Sequence, residues 1–130
     1  MTSDTSITVE DLKVAMPNDD LWGSFRVKSI EGDRLELIGW TIGIHHEVRQ
    51  IELISDGAVV ASVVPALERP DLVEAFADRD VSTAGFEIAI AATGRGKSRL
   101  TLQALLADGS RGALGTVTVT KRRGWSGLFR

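Results

Sequence analysis

His45, His46 and Glu47 stand in a row, and imidazole and carboxylate are both ligands for a divalent metal. Their adjacency works against a shared ion. Neighbouring side chains on an extended chain point to opposite faces, so His45 and His46 cannot readily turn to one metal. The sequence has only these two histidines and no cysteine, so no further imidazole or thiolate completes a set. The pair is expected as two exposed residues in a loop between strands, with no metal site. Gly94-Arg95-Gly96-Lys97-Ser98 ends like a phosphate-binding loop. The full pattern requires a glycine at position 91, which is alanine, and a helix after the loop. From Leu100 onward the chain instead alternates as a strand does, so this segment is read as a hairpin turn. No Gly-x-Ser-x-Gly elbow occurs and no motif sets a hydroxyl beside a histidine base. No catalytic residue is assigned, no cofactor is expected, and the chain is read as a non-enzyme. Its carboxylates are expected on solvated strand faces.

Arg69-Pro70-Asp71 is the most distinctive local cluster. It suits two uses. As a polar corner it offers Arg69 and Asp71 to a ligand. As a structural device, Arg69 pins a strand-to-helix corner by a charge-assisted hydrogen bond while Asp71 caps or polarises the helix. The structural use needs no ligand. Among the tryptophans, Trp40 lies in a strand at a core-facing phase, whereas Trp22 and Trp125 lie outside the regular strands. Trp22 and Trp125 are therefore the candidates for an exposed stacking surface, and with Arg69 and Asp71 they form the candidate ligand-binding set.

The elements that must position these residues read as strands. Seven are expected, over 24–30, 34–42, 48–54, 59–64, from Gly85 to Ile90, 99–106 and 115–120. Glu31-Gly32-Asp33, Ser55-Asp56-Gly57 and Asp108-Gly109 supply turns. Gly39 is read as a bulge that returns Trp40 and Ile42 to the core side. The nearly all-apolar run from Val59 to Val64 is read as a strand buried on both faces. One short helix is expected over 70–77, opened by Pro70, with Leu72, Val73 and Phe76 on its apolar side. Residues 7–22 are ambiguous, because Val9, Leu12 and Met16 keep helical spacing until Pro17 and Asn18-Asp19-Asp20 stop it. The expected architecture is an all-β, immunoglobulin-like sandwich of about seven strands with one short helix. Trp40, Ile51, Leu53, Phe86, Ile88, Leu100 and Leu102 form its expected core. The domain is placed at residues 24–120, between an N-terminal extension at 1–23 and a basic, aromatic tail at 121–130.

Composition narrows the function classes. At 130 residues with 43% hydrophobic and 25% charged residues, the chain suits a single globular core. A net charge of -3 argues against nucleic acid as a main partner. The polar, acidic start has no signal-like apolar region, and no apolar run approaches the roughly 20 residues that cross a bilayer. A cytoplasmic location is the default expectation. In the tail, Lys121, Arg122, Arg123 and Arg130 bracket Trp125, Leu128 and Phe129. Such a segment either makes weak contact with an anionic membrane surface or folds back over apolar surface. Folding back, or docking on another chain, is the expectation, since four positive charges are few for stable attachment.

Leu35, Leu37, Gly39 and Trp40, then Ile51-Glu52-Leu53 with Asp56-Gly57, then Arg69-Pro70-Asp71-Leu72, then Gly85-Phe86 form an ordered set. In that order and spacing they resemble the small β-sandwich module found beside bacterial glycosyltransferases and related enzymes of surface-polysaccharide assembly. The resemblance spans about residues 24 to 120. It departs after Trp40, where Gly43-Ile44-His45-His46 replaces the aliphatic-to-Asp-Pro loop frequent in that family. It implies a sandwich fold and a biosynthetic neighbourhood, and it carries over no ligand-binding residue. The function expected on that basis is non-catalytic recognition of glycan or glycan-lipid intermediates. The alternative is a protein-interaction or scaffolding domain that docks on a glycosyltransferase-type partner or pairs with itself as a homodimer.

Overall fold

Apolar residues at every second position make strands of most of this chain, and a few displaced glycines and aspartates set where it turns. The computed structural model describes residues 4–91 and 96–124. Its strands are β1 (Asp4–Val14), β2 (Leu21–Glu31), β3 (Arg34–Gly43), β4 (Val48–Ser55), β5 (Ala58–Val63), β6 (Gly85–Ala91), β7 (Gly96–Leu106) and β8 (Arg111–Gly124). A single helix, α1 (Pro70–Ala75), lies between β5 and β6. Five strands form one sheet in the order β1-β8-β7-β4-β5, and three form the other in the order β2-β3-β6. Every pairing is antiparallel. The hairpins β2–β3, β4–β5 and β7–β8 stay within a sheet, while the chain crosses between sheets after β1, β3, β5 and β6. Those crossings give β2 to β8 an immunoglobulin-type order.

The turns behave as their residues dictate. Asp56 and Gly57 take φ of 51° and 77°, the left-handed pair that matches the twist of a two-residue hairpin. At β7–β8, Asp108 Oδ1 accepts hydrogen bonds from the Ser110 backbone N (3.0 Å) and hydroxyl (2.6 Å). Between β1 and β2, Asn18 Oδ1 accepts from the Asp20 and Leu21 backbone N, each at 2.9 Å. The same side chain donates from Nδ2 to the Ala113 carbonyl at 2.9 Å, tying this turn to β8.

The facing sides of the two sheets meet in one core. Leu21, Leu35, Leu37 and Phe86 come from the smaller sheet, and Ile51, Leu53, Leu102, Val117 and Val119 from the larger. Ile88 and Leu100 are buried with them, so six of the seven expected core residues lie there. Trp40 does not. β2 and β3 stay in step through Phe25↔Gly39 and Ser24↔Trp40, and the bulge falls between Val27 and Ser29 instead. Gly39 thus keeps the core phase itself and Trp40 faces outward. A Cβ at Gly39 would meet the Phe25 Cβ at 2.6 Å, as well as the Ser24 carbonyl. Phe25 occupies the space that a side chain at 39 would need.

Other expectations change in the same way. The supposed extension at 1–23 contains β1, which pairs with β8 from Asp4↔Gly124 to Val14↔Gly115, and Ile7 is buried in the core. Among the described residues the strands number eight, and β2 already begins at Leu21. The expected tail at 121–130 starts inside β8, and its residues 125–130 lie outside the described residues. β5 is an edge strand, with Val59 and Val60 51% and 46% exposed, and no strand among the described residues pairs with its outer side. Of the expected hairpin at 94–98, residues 94 and 95 lie outside the described residues, Gly96, Lys97 and Ser98 belong to β7, and β6 and β7 lie in different sheets. α1 ends at Ala75, with Leu72 buried but Val73 exposed.

Candidate functional site

A second apolar cluster lies on the outer face of the smaller sheet. Ile42 on β3 is buried there with Leu72 of α1 and Val81, and Trp22, Trp40, Phe76 and Ala84 pack around them. Alternation explains the two strand contributions: Trp22 on β2 pairs with Ile42, and both point away from the main core. The β5–β6 crossover brings the remainder. It is fixed to the sheet by a hydrogen bond from Thr41 N to the Ala84 carbonyl (3.2 Å), and its own two limbs are joined by one from the Arg69 backbone N to the Ser82 carbonyl (2.9 Å).

The aromatic rings form a file. Trp22 stacks on Phe76 at 5.3 Å between centroids, and Phe76 meets Trp40 at 6.0 Å with the rings tilted by 52°. A guanidinium closes each end. Arg79 lies 5.0 Å from the Trp22 ring centroid and Arg69 lies 5.9 Å from that of Trp40. The ring faces carry negative charge density, so each cation is attracted to its aromatic neighbour. Arg79 also donates from Nη1 to the Gly43 and Ile44 carbonyls at 2.9 and 3.1 Å. Arg69 grips Asp71 with both prongs, Nε to Oδ1 at 3.0 Å and Nη2 to Oδ2 at 2.8 Å. Those hydrogen bonds hold the Asp71 carboxyl below its ordinary pKa and raise that of Arg69. The corner is therefore pinned as its sequence suggests. Asp71 sits in the first turn of α1, but no side chain caps that helix.

Two clefts flank the file. One, of about 360 Å³, is lined by Ile42, Glu47, Pro65, Arg79, Asp80 and Thr83 among others. The other, of about 400 Å³, runs over three consecutive β2–β3 pairs and is lined by Ser24, Phe25, Arg26, Ile38, Gly39, Trp40 and Arg69. Of the four expected site residues, Trp22, Arg69 and Asp71 thus belong to one surface, and Trp125 lies outside the described residues. Sequence reading missed Phe76, Arg79 and Trp40 as members. Trp40 was legible from strict alternation through Gly39. Nothing in the sequence marks Arg79, which reaches Trp22 only through the crossover's path.

The remaining chemistry-bearing groups are settled by their neighbours. His45 and His46 are exposed in the β3–β4 loop, as expected, with His46 Nε2 3.4 Å from Asp108 Oδ2. Among the described residues, no three His, Asp or Glu side chains come together to hold a metal. Glu52 departs from the expectation of a solvated carboxylate, being 4% exposed on the outer face of the larger sheet. It accepts from Gln103 Nε2 (2.8 Å) and Arg111 Nε (3.0 Å) on Oε1, and from Gln50 Nε2 (3.1 Å) on Oε2. The Arg111 hydrogen bond is the chief reason that its pKa lies below the ordinary value. No helix among the described residues is long and apolar enough to cross a membrane.

The fold and this face together define an immunoglobulin-like β-sandwich with an aromatic, guanidinium-flanked surface on its three-stranded sheet. No protein-family model, curated protein or solved structure matches the chain.

Proposed function

We propose that this chain is a non-catalytic accessory module that recognises glycan or glycan-lipid intermediates of bacterial surface-polysaccharide synthesis, acting in the cytoplasm. The observation that carries the reading is the file Arg79–Trp22–Phe76–Trp40–Arg69 between two clefts. Sugar rings present apolar C–H faces with hydroxyls at their rims, and a binding surface for them combines aromatic walls with fixed hydrogen-bonding groups. Both kinds of group are present here. The sequence resemblance supplies the biosynthetic setting. The test is a glycan array followed by calorimetric titration of hits, with Trp22→Ala and Trp40→Ala. At least a tenfold loss of affinity in a variant that remains folded supports the proposal. An absence of binding across the array removes it.

A second reading rests on a different observation. β5 is an uncharged edge, from Ala58 through Val63, with Val59, Val60 and the adjoining Val64 exposed. Edges left without charge or proline invite strand pairing, and β5 laid antiparallel on the β5 of a second copy joins two five-stranded sheets symmetrically. Light scattering of the chain and of Val60→Lys tests it. A dimer that the lysine abolishes favours scaffolding by self-association, and a monomer at high concentration rules it out.

A further inference from the structure

The cleft beside Trp40 has a charge character that the aromatic file alone does not require. Its lining includes two guanidinium side chains, Arg26 and Arg69, together with the Ser24 hydroxyl, and no carboxylate. The other strand cations on this face are matched by carboxylates: Lys28 pairs with Glu87, and Arg34 lies 3.4 Å from Glu36. Arg26 has no ion-pair partner among the described residues. Its guanidinium donates only to the neighbouring Val27 carbonyl, at 3.3 Å, and the side chain is exposed. Arg69 commits Nε and Nη2 to Asp71, which leaves Nη1 without a described hydrogen bond. Arg26 and Arg69 therefore border the same cleft, with Trp40 forming an apolar wall between sheet and crossover.

We propose that this cleft takes an acidic sugar, a pyranose ring against Trp40 whose oxyanion is held by Arg26 and by Nη1 of Arg69. A guanidinium fork matches a planar carboxylate or a phosphate in two parallel hydrogen bonds, which a hydroxyl cannot reproduce. Ser24, opposite Trp40 in the β2–β3 pairing, reaches the ring hydroxyls from the strand floor. The cleft's volume of about 400 Å³ is of the size that holds small ligands. Asp71 has a defined part in this arrangement: it orients Arg69 by two hydrogen bonds and leaves the remaining nitrogen for the ligand. The inference rests on the glycan reading and names the chemical class of sugar for that site.

The test titrates the full chain with an oligogalacturonate, a neutral galacto-oligosaccharide of equal length and a hexose phosphate, following tryptophan fluorescence and heat. Wild type is expected to bind either acidic sugar at least tenfold more tightly than the neutral one. In Arg26→Gln that preference is expected to fall to about threefold or less, with thermal unfolding unchanged. Raising salt is expected to weaken acidic binding and leave neutral binding alone. Equal affinity for acidic and neutral sugars, or an acidic preference that survives Arg26→Gln, overturns this inference while the glycan reading stands. No binding of any of the three, nor of any array glycan, overturns both.

Discussion

The Trp22 indole lies over the Phe76 ring at 5.3 Å and 28°, so a strand of the smaller sheet and the C-terminal end of α1 in the β5–β6 crossover meet ring to ring. This contact, with Leu72 and Val81 beneath, makes an isolated six-residue helix stable in its place. A helix that short does not persist in water by its own hydrogen bonds, and tertiary packing must supply the difference.

Phe76→Ala is accordingly expected to destabilise the chain by about 1–3 kcal/mol, less than a fully buried phenylalanine because Phe76 is half-buried. Denaturant unfolding measures the loss. Protease sensitivity within 64–84 should rise in the variant before global unfolding, since the contact fastens the crossover. An unchanged midpoint and cleavage pattern would show that the ring contact contributes nothing.

Glu52 sets a pH dependence with a definite sign. Its folded pKa is lowered, first by Arg111 and then by Gln103, so the folded state binds fewer protons than the unfolded one in acid. The stabilisation is complete above the unfolded carboxyl's value and is lost as pH falls through the lower folded value, from roughly pH 5 downward. Glu52→Gln should cost about 1–3 kcal/mol at neutral pH, because a charge-assisted partner of Arg111 is removed from a 4% exposed position. The gap between wild type and variant should narrow by pH 3. A gap that stays constant between pH 7 and pH 3 would exclude this linkage.

The hairpins, most of the core and the pinned Arg69–Asp71 corner were legible because each depends on neighbours in sequence. Asp56-Gly57 needs only its own positive φ, and Arg69 reaches a residue two positions away. The failures have a shared physical origin in irregular strands. β1 contains a bulge between Val9 and Asp11, which moves the next inward residue from 11 to 12. The resulting spacing of Val9, Leu12 and Met16 imitates a helix. At Gly39 the error ran the other way, a bulge being inferred where the strand is regular. β5 was misjudged because an apolar run does not reveal whether a neighbouring strand exists. The buried state of Glu52 depends on Gln103 and Arg111, both distant in sequence, and no local pattern announces them.

Gly39 offers a clean test of the alternation at Trp40. A methyl group there would meet the backbone of Ser24 and the Phe25 Cβ, neither of which is the far end of a flexible side chain. Gly39→Ala should therefore destabilise by about 1–3 kcal/mol through overpacking, although alanine has no difficulty with a strand conformation. Paired with Phe25→Gly, which removes the Phe25 Cβ but leaves the Ser24 carbonyl in place, part of that cost should be recovered. Simple additivity of the two substitutions in a double-mutant cycle would contradict direct packing of residue 39 against Phe25.

Ile7 distinguishes a dangling extension from an integral strand. Its side chain is 5% exposed in the main core, and its backbone N donates to the Gly32 carbonyl at 3.1 Å. Gly32 lies in the β2–β3 turn of the smaller sheet, whereas β1 pairs with β8 of the larger one. The residue thus links both layers at the edge where β1 closes the sandwich over β2. Ile7→Ala should cost about 2–5 kcal/mol, as for other buried isoleucines, measured by the unfolding midpoint in denaturant. Thr8→Ala, next to it on the exposed outer face, should change stability by less than about 0.5 kcal/mol. If the two substitutions prove equally harmless, β1 does not carry the weight that its register with β8 and its buried isoleucine imply. If Ile7→Ala alone is damaging, β1 (Asp4–Val14) belongs to the fold rather than preceding it.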